Sequence, residues 1–303
     1  MRRRAFLAGL SLLAMPARAG TVLRVAFAGS MGVVMDRVLG PAFAEANDVS
    51  YQGTGQGSYA LARLIAAKTM RADVFVSITP GPVRVVQQAG LAEEAVPIAS
   101  TRMVLAYAPR SRFAPAFAEA AQGHGKWWEI LQTQGLRFGR TDPLTDPQGQ
   151  NIIFTLELAE RYYHAPGLAE AVLGPLLNPE QIFAEPSLLS RLEAGQIDAS
   201  AGYHSAVASH RLPFIALPDE INLGDPAFGA EWYSHATIAL PQPDGTTKVV
   251  RPQPLVFYAA VPSNAPDPAL GRRFVDFLTS PQGQEMLRRG FYDSPKGGAL
   301  QAA

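Results

Sequence analysis

Between Thr21 and Ile78 the chain alternates short β-type runs with helical patterns, and few folds accept that alternation. Val22-Leu23-Arg24-Val25-Ala26-Phe27 reads as a strand. After it, Met31, Val34, Met35, Val38, Leu39 and Ala42 recur at helical spacing. Val49 to Gln52 is a brief second strand. Gly53-Thr54-Gly55-Gln56-Gly57-Ser58 reads as a glycine-rich loop opening a helix with Leu61, Leu64 and Ile65 on one face. Asp73-Val74-Phe75-Val76-Ser77 is a third strand of the buried type. Strand, helix and strand in this order imply a parallel sheet with helices on both faces. Ligands bind such sheets at the carboxyl ends of the strands, and Ser30 and Ser58 both stand at such ends.

Ala28-Gly29-Ser30-Met31-Gly32 marks the handover from strand to helix, with Ser30 in N-cap position. A cap hydroxyl and the free N–H groups of a first helical turn point at one small volume, the geometry that holds an anion. The plainer reading is that Ser30 only caps its own helix. The same pentapeptide resembles a nucleophile elbow, which leaves an exported serine hydrolase using Ser30 as an alternative. That would need an acid and a histidine downstream. Asp146 with His204 or His235 are available, but none sits in a recognisable motif.

Metal and nucleotide chemistry find little support. His204 and His210 are six apart, there is no H-E-x-x-H and cysteine is absent, so no protein-bound cation is expected. The glycine-rich run lacks the ending of a Walker loop and the third glycine of a dinucleotide fingerprint, so no cofactor is expected either. What remains is a set of neutral donors at helix starts: Ser30, Ser58, Ser100 or Thr101, and Gly149. Several charge-assisted hydrogen bonds at about 1.5–3 kcal/mol each hold an oxyanion without a cationic side chain.

The rest of the 303-residue chain reads as a second α/β unit. Met103 to Ala108 is a strand, and Lys126 to Leu131 a short helix before strand Leu136 to Gly139. Asp146-Pro147 starts a helix that runs to Tyr163, Asp146 as N-cap and Pro147 at N1. Ser187 to Gly195 is a helix and Ile197 to Tyr203 a strand. Asp244-Gly245 signals a hairpin, Pro254 to Val261 a strand, and Arg273 to Phe291 two helices broken at Ser280-Pro281.

Residues 1–19 read as an export signal: Arg2-Arg3-Arg4, a short apolar core and the Ala17-Arg18-Ala19 cleavage site. Arg3-Arg4-Ala5-Phe6-Leu7 also fits the twin-arginine pattern, against an ordinary secretory signal rich in arginine. Either address gives a periplasmic protein. Without Arg2, Arg3, Arg4 and Arg18 the 26 basic residues fall short of the 26 acidic ones, and the mature chain is about four charges negative. That argues against nucleic acid or an anionic membrane surface as partner.

Taken in order, Ala28-Gly29-Ser30, Gly57-Ser58-Tyr59-Ala60, Ala72-Asp73-Val74, Ala99-Ser100-Thr101, Trp127 to Leu131, Phe138 to Pro143 with Asp146-Pro147 and Gly149, Gly202 to Ala208 and the closing helices resemble a known family. It is that of the periplasmic molybdate/tungstate-binding proteins of ABC importers, in particular the tungstate-type branch. The resemblance spans nearly the whole mature chain. It implies a two-lobed periplasmic-binding-protein fold of type II, α/β throughout, each lobe a mixed sheet flanked by helices, with the ligand cleft between lobes. Lobe one would take residues 20–100 and 258–303, and lobe two residues 101–257. The implied ligand is molybdate or tungstate, with sulfate, phosphate or another anion as alternatives. The implied partner is an inner-membrane permease, and a monomer is the usual form.

Family ligand positions map onto Ser30, Ser58, Asp146 and Tyr203. A carboxylate repels a dianion unless it is protonated or reaches the metal centre. In the tungstate branch an aspartate and a glutamate do the latter and expand the coordination to six. The position expected to carry that glutamate is Gly202, and the family's Cys-Gly-Tyr-Arg is altered to Gln148-Gly149-Gln150-Asn151. Four-coordinate hydrogen bonding is therefore expected, with Asp146 mainly a helix cap.

Overall fold

The computed structural model describes residues 21–242 and 244–302; the expected export signal lies outside them. Strands β1 (Val22–Ala28), β2 (Ser50–Gln56), β3 (Val74–Ile78) and β4 (Glu94–Ser100) come first. Next are β5 (Met103–Tyr107), β6 (Phe138–Gly139), β7 (Ala199–Tyr203) and β8 (Phe214–Ala216). The hairpin β9 (Ile238–Pro241) and β10 (Thr247–Val250) precedes β11 (Val256–Ala260) and β12 (Leu300–Gln301). One mixed sheet has the order β12-β4-β11-β3-β1-β2, the other β6-β7-β5-β8. These two sheets are the cores of two lobes.

In lobe one, β1 pairs in parallel with both β2 and β3, while β11 runs antiparallel between β3 and β4. Alternation along β1 and β3 supplies two apolar faces. Ala26 and Phe75 meet Leu61, Ile65, Val83 and Val86 from helices Ser58–Ala66 and Pro80–Gln88. Val25, Phe27, Val74 and Val76 belong to the opposite core, with Phe43, Phe274 and Leu278. Every residue of β3 is buried, as a strand covered on both faces requires.

The chain crosses between lobes at Thr101–Arg102, from β4 to β5, and returns before Val256. The crossings lie side by side: Thr101 N–H donates to the Leu255 carbonyl at 3.0 Å. Two short adjacent segments of this kind form a hinge. Among the described residues no helix is long and apolar enough to cross a membrane.

Two local expectations fail. The run Gly53–Gln56 is strand rather than loop, because β1 offers its backbone a full parallel ladder, Val25 opposite Gly53 through Ala28 opposite Gln56. Ser30 is not an N-cap; it lies inside a 3₁₀ turn, Gly29–Met31, with Ala28 before it. The helix beyond is wound unevenly, with a π segment at Met35–Leu39. Strand β4 and helices Pro80–Gln88, Ala114–Ala121 and Leu168–Leu173 are additional to the elements read from sequence.

Candidate functional site

The register of lobe one brings the two serines together. Ala28 pairs with Gln56, so Ser30 and Ser58, each two residues further on, leave adjacent strands side by side. Ser58 opens helix Ser58–Ala66. Both hydroxyl oxygens are buried and neither has a hydrogen-bond partner among the described residues.

Lobe two supplies the opposite wall. Asp146 caps helix Pro147–Tyr163, its Oδ1 accepting the Gln148 N–H at 2.8 Å. Its Oδ2 is buried and receives no donor. Tyr203 ends β7, fully buried, and its hydroxyl accepts from Asn151 Nδ2 at 3.0 Å. A residue that sequence reasoning missed completes the wall. Glu185, first in helix Glu185–Glu193, crosses to lobe one: Oε2 accepts the Gly29 N–H at 2.8 Å and Oε1 the Ser30 N–H at 2.9 Å. The Ser30 hydroxyl lies near the same carboxylate without reaching hydrogen-bonding geometry.

The lobes also meet beside Ser58. Ala60 N–H donates to the Thr145 carbonyl at 3.1 Å and Arg63 Nη2 to that of Leu144 at 2.7 Å. A Cβ on Gly57 would stand 2.8 Å from the Thr145 carbonyl oxygen, so this close approach depends on glycine.

Burial raises the pKa of Asp146 well above the usual carboxylate range, and the neighbouring Glu185 charge adds to it. Burial raises Glu185 too, opposed by the neighbouring Asp146 carboxyl and by the Ser30 and Gly29 N–H groups it accepts from. Two neighbouring buried carboxyls cannot both keep their charge; the Gly29 and Ser30 N–H groups favour the charged form of Glu185, so the proton rests on Asp146, the one raised well above its ordinary value. The Tyr203 phenol is likewise pushed up, first by burial and then by both carboxylates, and stays a neutral donor. A cavity of about 270 Å³ opens from this cluster, lined by Ser30, Arg37, Gln148, Glu185, Tyr203 and His210.

Ser30 and Tyr203 line that cavity. Asp146 stands beside Glu185 and Tyr203, and Gly57, just before Ser58, packs against it. Two other expected donors lie elsewhere. Ser100 is at the hinge, its hydroxyl committed to the Ser294 carbonyl at 2.6 Å. Gly149 packs under the Thr141–Pro143 loop, where a Cβ would be 2.7 Å from the Pro143 nitrogen, so its small size serves packing. Gly202 is no vacant glutamate position. It lies buried in β7, where a Cβ would collide with Val207 Cγ2, and the glutamate of the cluster comes from Glu185. In sequence Glu185 had only the generic signature of an acidic first-turn residue before Pro186.

Residues 23–293 match the model of the family described as bacterial extracellular solute-binding protein. The chain belongs to that family. A molybdate/tungstate-binding protein of Pyrococcus abyssi is 28% identical over 264 residues, 81% of this chain and 75% of its own. A putative ABC transporter molybdenum-binding protein of Haloferax volcanii is 30% identical over 300 residues, 95% and 91% of the two chains. In fold, this solute-binding protein is similar to the periplasmic molybdate-binding protein of Azotobacter vinelandii. The TM-score is 0.60 at 14% identity, over 90% of this chain and all of the other. The two-lobed binding-protein architecture follows.

Proposed function

We propose that this solute-binding protein captures molybdate or tungstate in the interlobe cleft and delivers it to an ABC permease in the inner membrane. The observation that supports the reading is that Ser30 Oγ, Ser58 Oγ and Asp146 Oδ2 are each buried without a hydrogen-bond partner among the described residues, on segments that meet where Glu185 accepts the Gly29 and Ser30 N–H groups and Gly57 packs on Asp146. Buried polar atoms are almost always paired, and a group of orphans marks a place for a guest. The hydroxyls and the Tyr203 phenol suit the oxygens of an oxyanion.

The carboxylates select among oxyanions. Like unit charges 4 Å apart repel by about 4 kcal/mol at an effective dielectric of 20, so two carboxylates beside a dianion are unfavourable. The sign reverses when the central atom accepts further ligands. The sulfur of sulfate and the phosphorus of phosphate do not, whereas the d⁰ metal of molybdate or tungstate does. Asp146 and Glu185 are then the two extra ligands, and six-coordination replaces the four-coordinate expectation. Glu185 is kept in place by the Gly29 and Ser30 N–H groups.

The test is calorimetry of the mature protein against molybdate, tungstate, sulfate and phosphate, with X-ray absorption of the bound tungsten. Tight binding of the first two and a six-coordinate spectrum support the reading. Silence with all four anions, or binding of sulfate alone, overturns it. An assay of ester hydrolysis on the same preparation decides the serine hydrolase alternative; the receptor reading expects none. Export by the twin-arginine route predicts that Arg3→Lys with Arg4→Lys leaves the precursor in the cytoplasm.

A further inference from the structure

We propose that Arg63 of lobe one and the loop 142–146 of lobe two form a latch that sets how fast the cleft opens. The inference rests on the reading of the cleft as an anion site and adds what times capture and release there. Helix Ser58–Ala66 has no side-chain cap, and its first internal bond runs from the Leu61 N–H to the Gly57 carbonyl at 3.1 Å. The Ala60 N–H, one residue earlier, goes to lobe two instead, where the Thr145 carbonyl accepts it at 3.1 Å. Nearly one turn further on, Arg63 Nη2 donates to the Leu144 carbonyl at 2.7 Å. The first N–H groups of a helix need acceptors from outside it, and here the opposite lobe supplies one.

The loop is tied down so that those two carbonyls stay presented. Asp142 holds its amides: Oδ1 accepts the Leu144 N–H at 2.8 Å, and the Asp142 carbonyl accepts the Thr145 and Asp146 N–H groups at 3.1 and 2.9 Å. Gln150 Nε2 donates to the Pro143 carbonyl at 2.8 Å. The carbonyls of Leu144 and Thr145 take their donors from lobe one. With the two that Glu185 accepts from Gly29 and Ser30, four hydrogen bonds join the lobes beside Ser30 and Ser58. All four run from protein to protein, so they form in the free and in the loaded protein alike. Removing the Arg63 bond therefore weakens both closed forms equally. The cleft opens more often, while affinity, which compares the two closed forms, stays the same. Arg63 is exposed, so truncating it leaves the core untouched.

The test compares Arg63→Ala with Arg71→Ala in the mature protein; Arg71 is also exposed, but its Nε donates to the Asn264 carbonyl within lobe one at 3.1 Å. Loss of one hydrogen bond is about a fivefold change in an equilibrium. Without ligand, Arg63→Ala is expected to speed exchange of the Ala60 amide about fivefold and to leave the neighbouring Leu61 amide unchanged. Stopped-flow binding of tungstate should show capture and release both about fivefold faster, at an unchanged dissociation constant. Arg71→Ala should match the parent in every measurement. An Ala60 rate equal to the parent's overturns the latch, and so does equal acceleration at Ala60 and Leu61, which is fraying of the helix. Unchanged capture and release overturn it too. Slower capture, most marked at low salt, also overturns it and makes Arg63 a charge that steers the anion. The exchange result stands whether or not tungstate binds, and tungstate silence in the parent protein counts against the ligand reading alone.

Discussion

Gly29 and Glu185 meet across the cleft, the Gly29 N–H donating to Glu185 Oε2 at 2.8 Å while a Cβ on the same glycine would stand 2.8 Å from that oxygen. The contact needs both a donor and the absence of a side chain. Gly29 does not occupy the left-handed region, so alanine there brings no backbone strain. Gly29→Ala is therefore expected to act on the contact alone. Glu185 must withdraw, and molybdate or tungstate affinity should fall tenfold or more, about 1.4 kcal/mol or above. Melting of the ligand-free protein should change little. Calorimetry and a thermal scan on the same sample check both halves; unchanged affinity would remove Glu185 from the ligand set.

The Asp146–Glu185 pair makes stability depend on pH. Both carboxyls have folded pKa values above their ordinary 3.8 and 4.5. In that case the folded protein binds more protons than the unfolded chain, and stability falls as pH rises from the ordinary carboxylate range through the folded values. Asp146→Asn removes the penalty and keeps the helix cap, since asparagine caps as well as aspartate. The ligand-free variant should melt above the parent at neutral pH, by about 2–4 °C per kcal/mol recovered, and the gap should close below pH 4. Tungstate binding should be lost in the same variant. A parent melting temperature flat between pH 4 and 8 would contradict the raised carboxyl pKa values.

Ser30→Ala and Ser58→Ala are expected to separate function from stability by sign. Each hydroxyl is buried and unpartnered, so its removal without ligand is neutral or stabilising. With ligand, each forfeits a charge-assisted hydrogen bond of about 1.5–3 kcal/mol, roughly 10- to 150-fold in affinity. A serine whose role was only local would lower melting and leave affinity alone. Thermal scans with and without molybdate distinguish the two.

How far the sequence is legible follows from what each feature depends on. Strands β1 and β3 could be read because burial on both faces leaves mostly apolar runs, interrupted only at Arg24 and Ser77. Asp146-Pro147 could be read because a cap is a local hydrogen bond. The strand at Gly53–Gln56 could not, because its stability comes from pairing with β1 rather than from its own glycines. Nor could the cleft partnership of Glu185. Its contacts with Gly29 and Ser30 join residues more than 150 positions apart, on different lobes. Ser100 shows the converse: a hydroxyl at a strand end looks like a donor for a ligand until the C-terminal segment is folded against it.

Gly202→Glu is the substitution that would restore a glutamate beside Tyr203, and the geometry predicts that it does not help. Gly202 pairs with Val104 in the middle of the lobe-two sheet, and its missing Cβ leaves room for Val207. A glutamate there must displace Val207 and bring a third carboxyl to the buried region that Glu185 already lines. Overpacking alone costs about 1–3 kcal/mol, and an unpaired buried carboxyl adds to it. The variant is expected to melt well below the parent and to bind tungstate more weakly, whereas Glu185→Gln should abolish the extra coordination while leaving the fold intact. Thermal unfolding and tungsten X-ray absorption of the two variants check this. A Gly202→Glu protein that folds normally and binds tungstate more tightly would return the glutamate to strand β7 and leave Glu185 a lobe contact only.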